Sequence, residues 1–391
     1  MRYTRELANV AESPMVQIAT AAEAMSGSLK LCYGESDMPT PAFICDAADA
    51  ALKAGHTFYT HTAGAPELRD AIARKVFDLH GVEYRQSEIM ATVGASLAIY
   101  AAIRALVGRG DNAVIISPAY AIFSNAVIMA GGEARPVPLA REGSRFRLDL
   151  DRVSQAIDAG TRMILVNSPS NPTGWVITAG EQQALLALAE RRELVILADE
   201  VYERLIYDEK GLSSQVAPSF ARLPHDRDRL IVVNSFSKTY NMTGWRLGWA
   251  QGSEATIKTM YRAAEFMTSN PSAMVQQAGI VALRDGEPYV RELRAHYAAR
   301  RAQVMATLAR MPRVSLPTPE GSFFAFPRIE GVTDSTALTT ALLRATGVAL
   351  APGAAFGSDG EGYIRVCFAA TEATVSAALE KFYEFVTNDR V

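Results

Sequence analysis

The stretch Ser235–Ala250 reads SFSKTYNMTGWRLGWA and directly follows the apolar run Leu230–Asn234. This run has the length and composition of a strand buried on both faces of a parallel sheet, and such sheets bind ligands beyond the carboxyl ends of their strands. A lone lysine in this place is ordinarily solvated surface. The amine of Lys238 can nevertheless form an imine if burial and a nearby cation lower its pKa. The neighbouring residues suited to a phosphate are Ser235, Ser237 and Arg246.

Short apolar runs alternate with helical patterns on both sides of this stretch, which predicts crossover connections and a mainly parallel sheet. The predicted strands are Ile89–Val93, Asn112–Ser117, Arg162–Asn167, Leu194–Ala198, Leu230–Asn234 and Leu247–Ala250, and the predicted helices include Ser96–Leu106 and Gly180–Arg191. After residue 285 the pattern changes to a long helix and two short strands, at Glu287–Arg310, Ser322–Pro327 and Gly362–Phe368.

A chain of 391 residues exceeds the usual size of one hydrophobic core. We therefore expect an α/β fold with a large domain of parallel sheet and flanking helices over residues 46–285. A smaller α+β domain is expected over residues 286–391, and an N-terminal arm over residues 1–45 is expected to pack with it.

Two further segments carry groups suited to an organic phosphate. Ala95 and Ser96 open a predicted helix, where outward-facing backbone N–H groups favour an anion. An ordinary N-cap made by Thr92 or Ser96 is the alternative. The turn SPSNPTG at 168–174 is fixed by two prolines, which hold Asn171 rigidly at the sheet edge. Its amide suits a phenolate or carboxylate oxygen, and a purely turn-forming role is the alternative.

Two charged residues occupy apolar surroundings that demand an opposite charge. Asp199 ends the predicted strand Leu194–Ala198, and a buried carboxylate there is costly unless it is compensated. A protonated heterocyclic nitrogen would compensate it, and Tyr202, three residues on, is placed to face the same way. A capping role is the alternative for Asp199. Arg365 lies inside the run YIRVCF, where a guanidinium requires an anion.

Charge and cysteine content argue against several other classes of protein. Lys plus Arg number 39 against 42 Asp plus Glu, so no basic excess favours nucleic acid or an anionic membrane as partner. We expect neither a membrane span nor a signal peptide, because no apolar run is suitable. Three widely spaced cysteines argue against a disulfide framework and fit a reducing cytoplasm. The five histidines lack metal-binding spacing, so no metal is expected.

Three motifs together resemble those of the class I and II aminotransferase family, the aspartate aminotransferase-like enzymes of fold type I. SFSKTYNMTGWRLGWA resembles the lysine-bearing signature, and SPSNPTG and ADEVYERLIY resemble the family's two other central motifs in the same order. The similarity runs from GESDMPTP at Gly34 to YIRVCFA around Arg365. It implies pyridoxal 5′-phosphate (PLP) as cofactor. It also implies transfer of an amino group from an L-amino acid to a 2-oxo acid, in a ping-pong cycle through pyridoxamine phosphate.

The resemblance implies a partner for each group of the cofactor. Lys238 would carry PLP as a Schiff base and move the proton at the substrate α-carbon. Asp199 would pair with the ring nitrogen and keep it protonated. Tyr202 and Asn171 would hydrogen-bond the phenolic oxygen, and Tyr120 would stack on the ring face. The residues implied for the phosphate are Ser235, Ser237, Arg246 and the amides of Ala95 and Ser96.

The resemblance also implies how the substrate and a second subunit are bound. Arg365 would pair with the substrate α-carboxylate through two hydrogen bonds, assisted by Gly34 and Asn171. Tyr59, within FYTHTAG, resembles the tyrosine that reaches the phosphate of a neighbouring subunit. A homodimer is therefore expected.

Ser96 departs from the family pattern in an informative way. Bacterial aspartate-using relatives often have a lysine directly after the glycine-rich turn, where it binds the distal carboxylate. Without this cation, a neutral or aromatic amino donor is favoured over aspartate. The candidate pocket residues are Tyr33, Tyr59 and Phe356.

Other functions remain open at this point. PLP serves as electron sink for many reactions, so a C–S β-lyase, a racemase or a cyclopropane-forming synthase is an alternative on the same scaffold. A non-catalytic regulator is a more remote alternative, because such proteins carry an added DNA-binding module. A nicotinamide dehydrogenase is disfavoured, because no GxGxxG follows a predicted strand.

Overall fold

The fold is that of a computed structural model, which describes residues 4–10, 12–207 and 216–387. The strands in chain order are β1 (Leu29–Lys30), β2 (Ile89–Thr92), β3 (Asn112–Ser117), β4 (Glu133–Pro138), β5 (Ala140–Glu142), β6 (Arg145–Arg147), β7 (Thr161–Asn167), β8 (Val195–Asp199), β9 (Leu230–Ser235), β10 (Gly248–Gln251), β11 (Val314–Ser315), β12 (Phe324–Ala325), β13 (Arg328–Ile329), β14 (Val348–Ala349), β15 (Ala351–Pro352) and β16 (Ile364–Cys367).

The helices are α1 (Arg5–Ala8), α2 (Pro14–Glu23), α3 (Ala42–Lys53), α4 (Pro66–His80), α5 (Gly94–Leu106), α6 (Ile122–Met129), α7 (Leu150–Ala156), α8 (Ala179–Arg191), α9 (Phe236–Thr239), α10 (Glu254–Thr268), α11 (Ala273–Asp285), α12 (Glu287–Leu308), α13 (Ser335–Thr346) and α14 (Glu372–Thr387). Short 3₁₀ helices lie at Gln86–Glu88, Phe220–Arg222, Arg227–Arg229, Gly353–Phe356 and Ser358–Gly360.

A seven-stranded sheet in the order β2-β10-β9-β8-β7-β3-β4 forms the centre of the molecule. The neighbouring strands β4, β3, β7, β8 and β9 pair in parallel. Strand β10 runs antiparallel to both of its neighbours, β2 and β9. The predicted α/β fold with a mainly parallel sheet is therefore confirmed.

Alternate residues of the central strands enter two different cores, as strands covered on both faces require. On β7, Ile164 and Val166 pack into one core, and Met163 and Leu165 pack into the other. Helices α4, α8 and α11 cover the first face, and α5, α6 and α10 cover the second. The sheet is thus fixed from both sides, and its carboxyl edge is held in place for the site.

The strand β4, at one edge of the seven-stranded sheet, is the strand of this sheet that the sequence pattern does not predict. Its sequence EARPVP contains two charges and two prolines, so no apolar run marks it. A sheet edge tolerates both features, because one side of the strand needs no hydrogen-bonded neighbour. The strand predicted at Ser322–Pro327 is much shorter, because only Phe324–Ala325 pairs, with β16.

Residues from both ends of the chain build a separate core of short strands and helices. The strands β12, β16 and β15 form one sheet, and β1 pairs in parallel with β14. Helices α12, α13 and α14 pack on this core, which includes Phe323, Phe324 and Phe368. Helix α2 contacts α13 and β15, whereas the short α1 contacts α6 beside the large sheet. In the described ranges, none of the helices has the length and apolarity needed to cross a membrane.

Candidate functional site

A cavity of about 320 Å³ lies at the carboxyl edge of the central sheet. The last residues of β7, β8 and β9 are Asn167, Asp199 and Ser235, and all three line this cavity. This is the edge where parallel α/β sheets bind ligands. The volume is that of a pocket for a small organic molecule.

The cavity gathers residues that are up to 350 positions apart, from Met15 to Arg365. The predicted site residues on its wall are Gly34, Ala95, Ser96, Tyr120, Asn171, Asp199, Tyr202, Ser235, Ser237, Lys238, Arg246 and Arg365. Tyr33, predicted as a pocket residue, also lies on the wall.

Lys238 is partly buried on the short helix α9, at the end of β9. Its Nζ donates a hydrogen bond to the Gly34 carbonyl at 2.6 Å and lies 6.0 Å from the centre of the Tyr202 ring. Burial lowers the pKa of this amine to about 8, and the cations Arg365 and Arg246 add to the effect. The neutral, nucleophilic amine is thus accessible near neutral pH, as an imine-forming lysine requires.

Asp199 presents a buried carboxyl group to the same cavity. Burial raises its pKa to about 7, against the opposing effects of the Val201 amide and the Lys238 amine. The Val201 N–H donates to Asp199 Oδ1 at 3.2 Å, so the capping contact exists, but no side-chain cation among the described residues forms an ion pair with it. A cationic ring nitrogen would satisfy this group, and Tyr202 lies on the same wall with its ring packed against Phe323 and Phe324.

The start of α5 has no side-chain cap. Val93 is the N-cap residue and makes no side-chain capping bond, while Thr92 Oγ1 donates to the Gly94 carbonyl at 2.9 Å. The alternative of an N-cap made by Thr92 or Ser96 is therefore wrong. Gly94 has φ +73°, and a Cβ there would clash with the Arg246 guanidinium. The glycine thus lets a guanidinium and free backbone amides converge, as phosphate binding requires.

Two serines continue this wall from the end of β9. The Ser235 Oγ donates to Ser237 Oγ at 2.9 Å and accepts from the Ser237 N–H at 3.1 Å. Ser235 therefore caps the short helix α9 while it lines the cavity. Arg246 lies on the same wall, and its Nη1 donates to the Thr243 carbonyl at 2.8 Å.

Arg365 also lines the cavity, at 1% exposure. Its Nη1 donates to Asn171 Oδ1 at 2.9 Å, and its Nη2 donates to the Cys32 carbonyl. The guanidinium carbon lies 4.4 Å from the centre of the Phe324 ring. Within the described ranges no carboxylate pairs with it, and Nε has no partner. Such a cation is the natural partner of a ligand carboxylate.

Several lining residues were not predicted, and they are Met15, Glu35, Ile99, Ile122, Asn167, Val201 and Thr243. Asn167 ends a predicted strand, which is a signal that could have found it. Its Oδ1 accepts from the Asn171 N–H at 2.8 Å and its Nδ2 donates to the Asp199 carbonyl at 3.0 Å. Met15 has no local signal, because it reaches Arg365 from α2, 350 residues away in the chain.

Two predicted residues lie away from the cavity wall. Tyr59 is 88% exposed and borders a separate depression with Phe58 and Asn270. Phe356 is buried, with its ring centre 4.9 Å from the Arg365 guanidinium carbon. It therefore supports the arginine from behind, and the prediction that it lines the pocket is wrong because its position is inside the core.

Comparison with known proteins agrees with this geometry. The family model described as aminotransferase class I and II matches residues 26–382. The aspartate aminotransferase of Pyrococcus horikoshii is 33% identical over 97% of this chain and 96% of its own length. The aromatic-amino-acid aminotransferase 2 of Thermococcus litoralis is 34% identical over 97% of each chain.

A solved structure gives the same result. The aromatic aminotransferase from Pyrococcus horikoshii OT3 matches with a TM-score of 0.88 and 34% identity, over 95% of this chain and 99% of that one. The chain belongs to the class I and II aminotransferase family. It is a PLP-dependent aminotransferase, and PLP is its cofactor.

The cavity fits this cofactor by its own chemistry. The buried carboxyl of Asp199 needs a cation, and the start of α5 with Arg246 forms an anion site. Lys238 offers an amine of lowered pKa in the same cavity. A pyridinium nitrogen, a phosphate and an aldehyde carbon are the matching groups of PLP.

Proposed function

We propose that this aminotransferase moves the amino group of a neutral or aromatic L-amino acid to a 2-oxo acid. The observation that carries the proposal is the apolar part of the cavity lining, which includes Met15, Ile99 and Ile122. Met15 Sδ lies 3.6 Å from Arg365 Nη2. A substrate whose carboxylate pairs with Arg365 would therefore extend its side chain along carbon and sulfur atoms rather than toward a cation.

The charges on the wall support the same preference. Its cationic side chains are Lys238, Arg246 and Arg365, all of which have roles with cofactor or α-carboxylate in this proposal. Glu35 also lies on the wall and accepts a hydrogen bond from Thr243 Oγ1 at 2.8 Å. A second substrate carboxylate would be repelled by this anion. A neutral or aromatic side chain would not be.

The cofactor supplies, when bound, an electron sink for the negative charge that develops at the substrate α-carbon. Asp199 would hold the ring nitrogen protonated, since that ion pair relieves the cost of burying the carboxylate. Tyr202 and Asn171 would hydrogen-bond the phenolic oxygen, and Tyr120 would lie against the ring face. The groups proposed for the phosphate are the hydroxyls of Ser235 and Ser237, the Arg246 guanidinium and the amides of Ala95 and Ser96.

Lys238 and Arg365 would act on different groups of the substrate. Arg365 would bind the α-carboxylate, with Asn171 already orienting its Nη1 and the Gly34 segment closing the same wall. Lys238 would bind the cofactor covalently and later move the proton at the substrate α-carbon. Its lowered pKa supports this role, because a neutral amine accepts a proton and an ammonium does not.

We further propose a homodimer in which Tyr59 reaches the site of the partner subunit. The exposure of Tyr59 supports this, because 88% of a large aromatic side chain faces solvent in the single chain. Phe58 and Phe266 are likewise 81% and 89% exposed, which is typical of a surface that a protein partner covers. Free cysteines at 32, 45 and 367 favour a cytoplasmic location.

A panel of amino donors tests the substrate proposal. Purified enzyme with PLP would be assayed with phenylalanine, tyrosine, leucine, methionine and aspartate against 2-oxoglutarate, pyruvate and oxaloacetate. We expect at least one neutral or aromatic donor to exceed aspartate in kcat/KM by about tenfold or more. A higher kcat/KM for aspartate than for every neutral donor would contradict the proposal.

A charge placed at position 96 tests the same idea from the opposite direction. Ser96→Lys adds an ammonium to the cavity wall, so we expect kcat/KM for aspartate to rise relative to that for phenylalanine by about tenfold. Ser96→Gln is the matched control, because it adds length without charge and is expected to leave the ratio near its original value. If both variants change the ratio equally, the cation is not the cause.

A further inference from the structure

The turn that follows β8 presents side chains in two directions. Asp199 and Tyr202 line the cavity, whereas Glu200 and Glu203 are 3% and 7% exposed and make their contacts on the opposite side. The Phe220 N–H donates to Glu200 Oε1 at 3.0 Å, and His80 bonds Glu203 at 2.8 Å. A buried polar cluster therefore lies directly behind the residues assigned to the cofactor.

His80 connects this cluster to the surface through an ordered chain of hydrogen bonds. Arg222 Nε donates to His80 Nδ1 at 3.0 Å, and Arg222 Nη2 donates to the Leu79 carbonyl at 2.9 Å. Arginine can only donate, so Nδ1 is the acceptor and the ring hydrogen resides on Nε2. His80 Nε2 therefore donates to Glu203 Oε2.

The charge state of Glu203 follows from these contacts. Burial alone would raise the pKa of this carboxyl, but the His80 hydrogen bond and the cations Arg204 and Lys75 outweigh burial and lower it. Glu203 is thus a buried carboxylate that accepts a hydrogen bond from His80. Its own backbone carbonyl accepts from the Ala217 N–H at 2.7 Å, so both ends of the residue are fixed.

The cluster has the spacing of a metal site but not the free lone pairs of one. One ligand atom each from His80, Glu200 and Glu203 lies within 4.8 Å of the others. However, Nε2 carries the hydrogen that bonds Glu203, and Nδ1 is occupied by Arg222. A metal would have to displace the Arg222 bond before His80 could coordinate it, so we assign the cluster to hydrogen bonding.

We propose that His80 is a positioning residue, which acts through Glu203 to hold the turn that carries Asp199 and Tyr202 against the cofactor. The proposal rests on the cofactor roles proposed above. Within the turn, backbone bonds span only three residues, from Glu203 to Glu200 and from Leu205 to Tyr202. Neighbouring segments also hold the turn, because the Glu200 N–H donates to the Val233 carbonyl and Arg204 pairs with Glu287. His80 adds an anchor from α4 on Glu203. Small displacements of catalytic groups are costly in rate, so loss of this anchor should lower activity.

The test compares variants that remove, retain or bypass this hydrogen bond. His80→Phe keeps a buried ring but no donor, and we expect kcat to fall about tenfold with KM for the amino donor within about twofold. The dissociation constant of PLP should rise by a similar factor. His80→Gln keeps a donor of similar reach and should restore most of both quantities. Arg222→Met, at an exposed position, should fold normally and give a smaller loss of about twofold to threefold.

Val76→Ala is the control for simple loosening of the same helix, because Val76 lies buried on α4 in the core, one turn before His80, and its side chain makes no polar contact. It should lower the thermal midpoint without altering kcat or PLP affinity by more than about twofold. The two variants are compared under conditions in which their thermal midpoints are lowered equally. The proposal is overturned if His80→Phe then has the same kcat and the same PLP affinity as Val76→Ala. It is also overturned if His80→Gln restores nothing.

Failure of the underlying cofactor roles would be recognised separately. In that case Lys238→Ala and Asp199→Asn would retain activity, whatever the His80 variants do. If those two variants are inactive while His80→Phe behaves like Val76→Ala, only the positioning proposal is wrong.

Discussion

Burial acts on the three most important charged groups of the cavity in a consistent way. It lowers the pKa of Lys238 to about 8 and raises that of Asp199 to about 7, and it also lowers the pKa of Arg365. In each case burial stabilises the neutral form relative to the charged form, because a charge without a partner is costly in a poorly solvated site. In the proposed roles the cofactor and substrate would supply the missing opposite charges, so binding would also relieve the electrostatic cost of burial.

The lowered pKa of Lys238 makes a prediction about pH. Only the neutral amine attacks an aldehyde, and its fraction rises as pH increases through the folded-state pKa of about 8. The rate at which PLP attaches to apoenzyme should therefore increase between about pH 7 and 9 and then level off. Stopped-flow absorbance measures this rate of attachment, and the rate of imine formation between PLP and free lysine serves as the reference. A rate that keeps rising toward the ordinary lysine pKa would contradict the burial argument.

The geometry of Arg365 makes a second prediction. A planar guanidinium can contact both oxygens of a carboxylate, and an ammonium cannot reproduce this. Arg365→Lys should lower kcat/KM for every amino donor by about 10²-fold, mainly through KM, while PLP remains bound. Steady-state kinetics and cofactor absorbance would be measured together. If Arg365→Lys lost PLP but kept its affinity for the amino donor, the proposed role of Arg365 in binding the substrate carboxylate would be wrong.

At the scale of elements, the buried strands were predictable and the connections between distant elements were not. Ile164 on β7 and Ile196 on β8 lie in continuous apolar runs, so the sequence marks these strands to within a residue or two. Asn171, Asp199 and Lys238 follow such runs directly, and their convergence follows from parallel pairing. The contact of Met15 with Arg365 depends on how two cores pack together, which no local pattern encodes.

The ion pair between Arg204 and Glu287 connects the turn after β8 to the start of α12. Arg204 is 1% exposed, and its Nη1 and Nη2 donate to the two Glu287 oxygens at 2.9 and 2.6 Å. Burial alone would raise the pKa of Glu287, but Arg204 and Lys75 lower it to about 2. A carboxyl with a depressed pKa stabilises the fold above its unfolded-state pKa of about 4.3, and this stabilisation is lost as pH falls toward about 2.

Glu287→Gln tests this assignment. The substitution leaves Arg204 buried with a weaker partner, so we expect a loss of about 1–3 kcal/mol in the free energy of unfolding at pH 7. The difference between variant and wild type should shrink below about pH 4. Urea denaturation at several pH values measures both, with Asp49→Asn in the exposed pair with Lys53 as a neutral control. A constant difference across the pH range would contradict the ion-pair explanation.

At the scale of the whole molecule, the two ends of the chain meet around the smaller core. Residues 29–30 pair with 348–349, and α2 packs beside α13. The division into residues 1–45, 46–285 and 286–391 stays a prediction, as does the homodimer. Both predictions concern how large parts of the protein are arranged. The exposed aromatic side chains Phe58 and Tyr59 are the part of the surface that bears on the homodimer.

Subunit complementation tests the shared site. If Tyr59 serves the partner's cavity, Tyr59→Ala and Lys238→Ala each inactivate, but a mixed dimer contains one intact site. Equal mixing after reversible dissociation should restore about one quarter of the wild-type activity. No recovery, in a mixture shown by mass spectrometry to contain mixed dimers, would mean that Tyr59 does not serve the partner's site. Full activity of Tyr59→Ala alone would mean that it serves neither site.

The most direct test of the central claim is reduction of the holoenzyme with borohydride, followed by peptide mapping. The assignment of Lys238 predicts about one reduced cofactor per chain, attached to the peptide that contains SFSK, and none in Lys238→Ala. Attachment to another lysine, or equal labelling of Lys238→Ala, would contradict it.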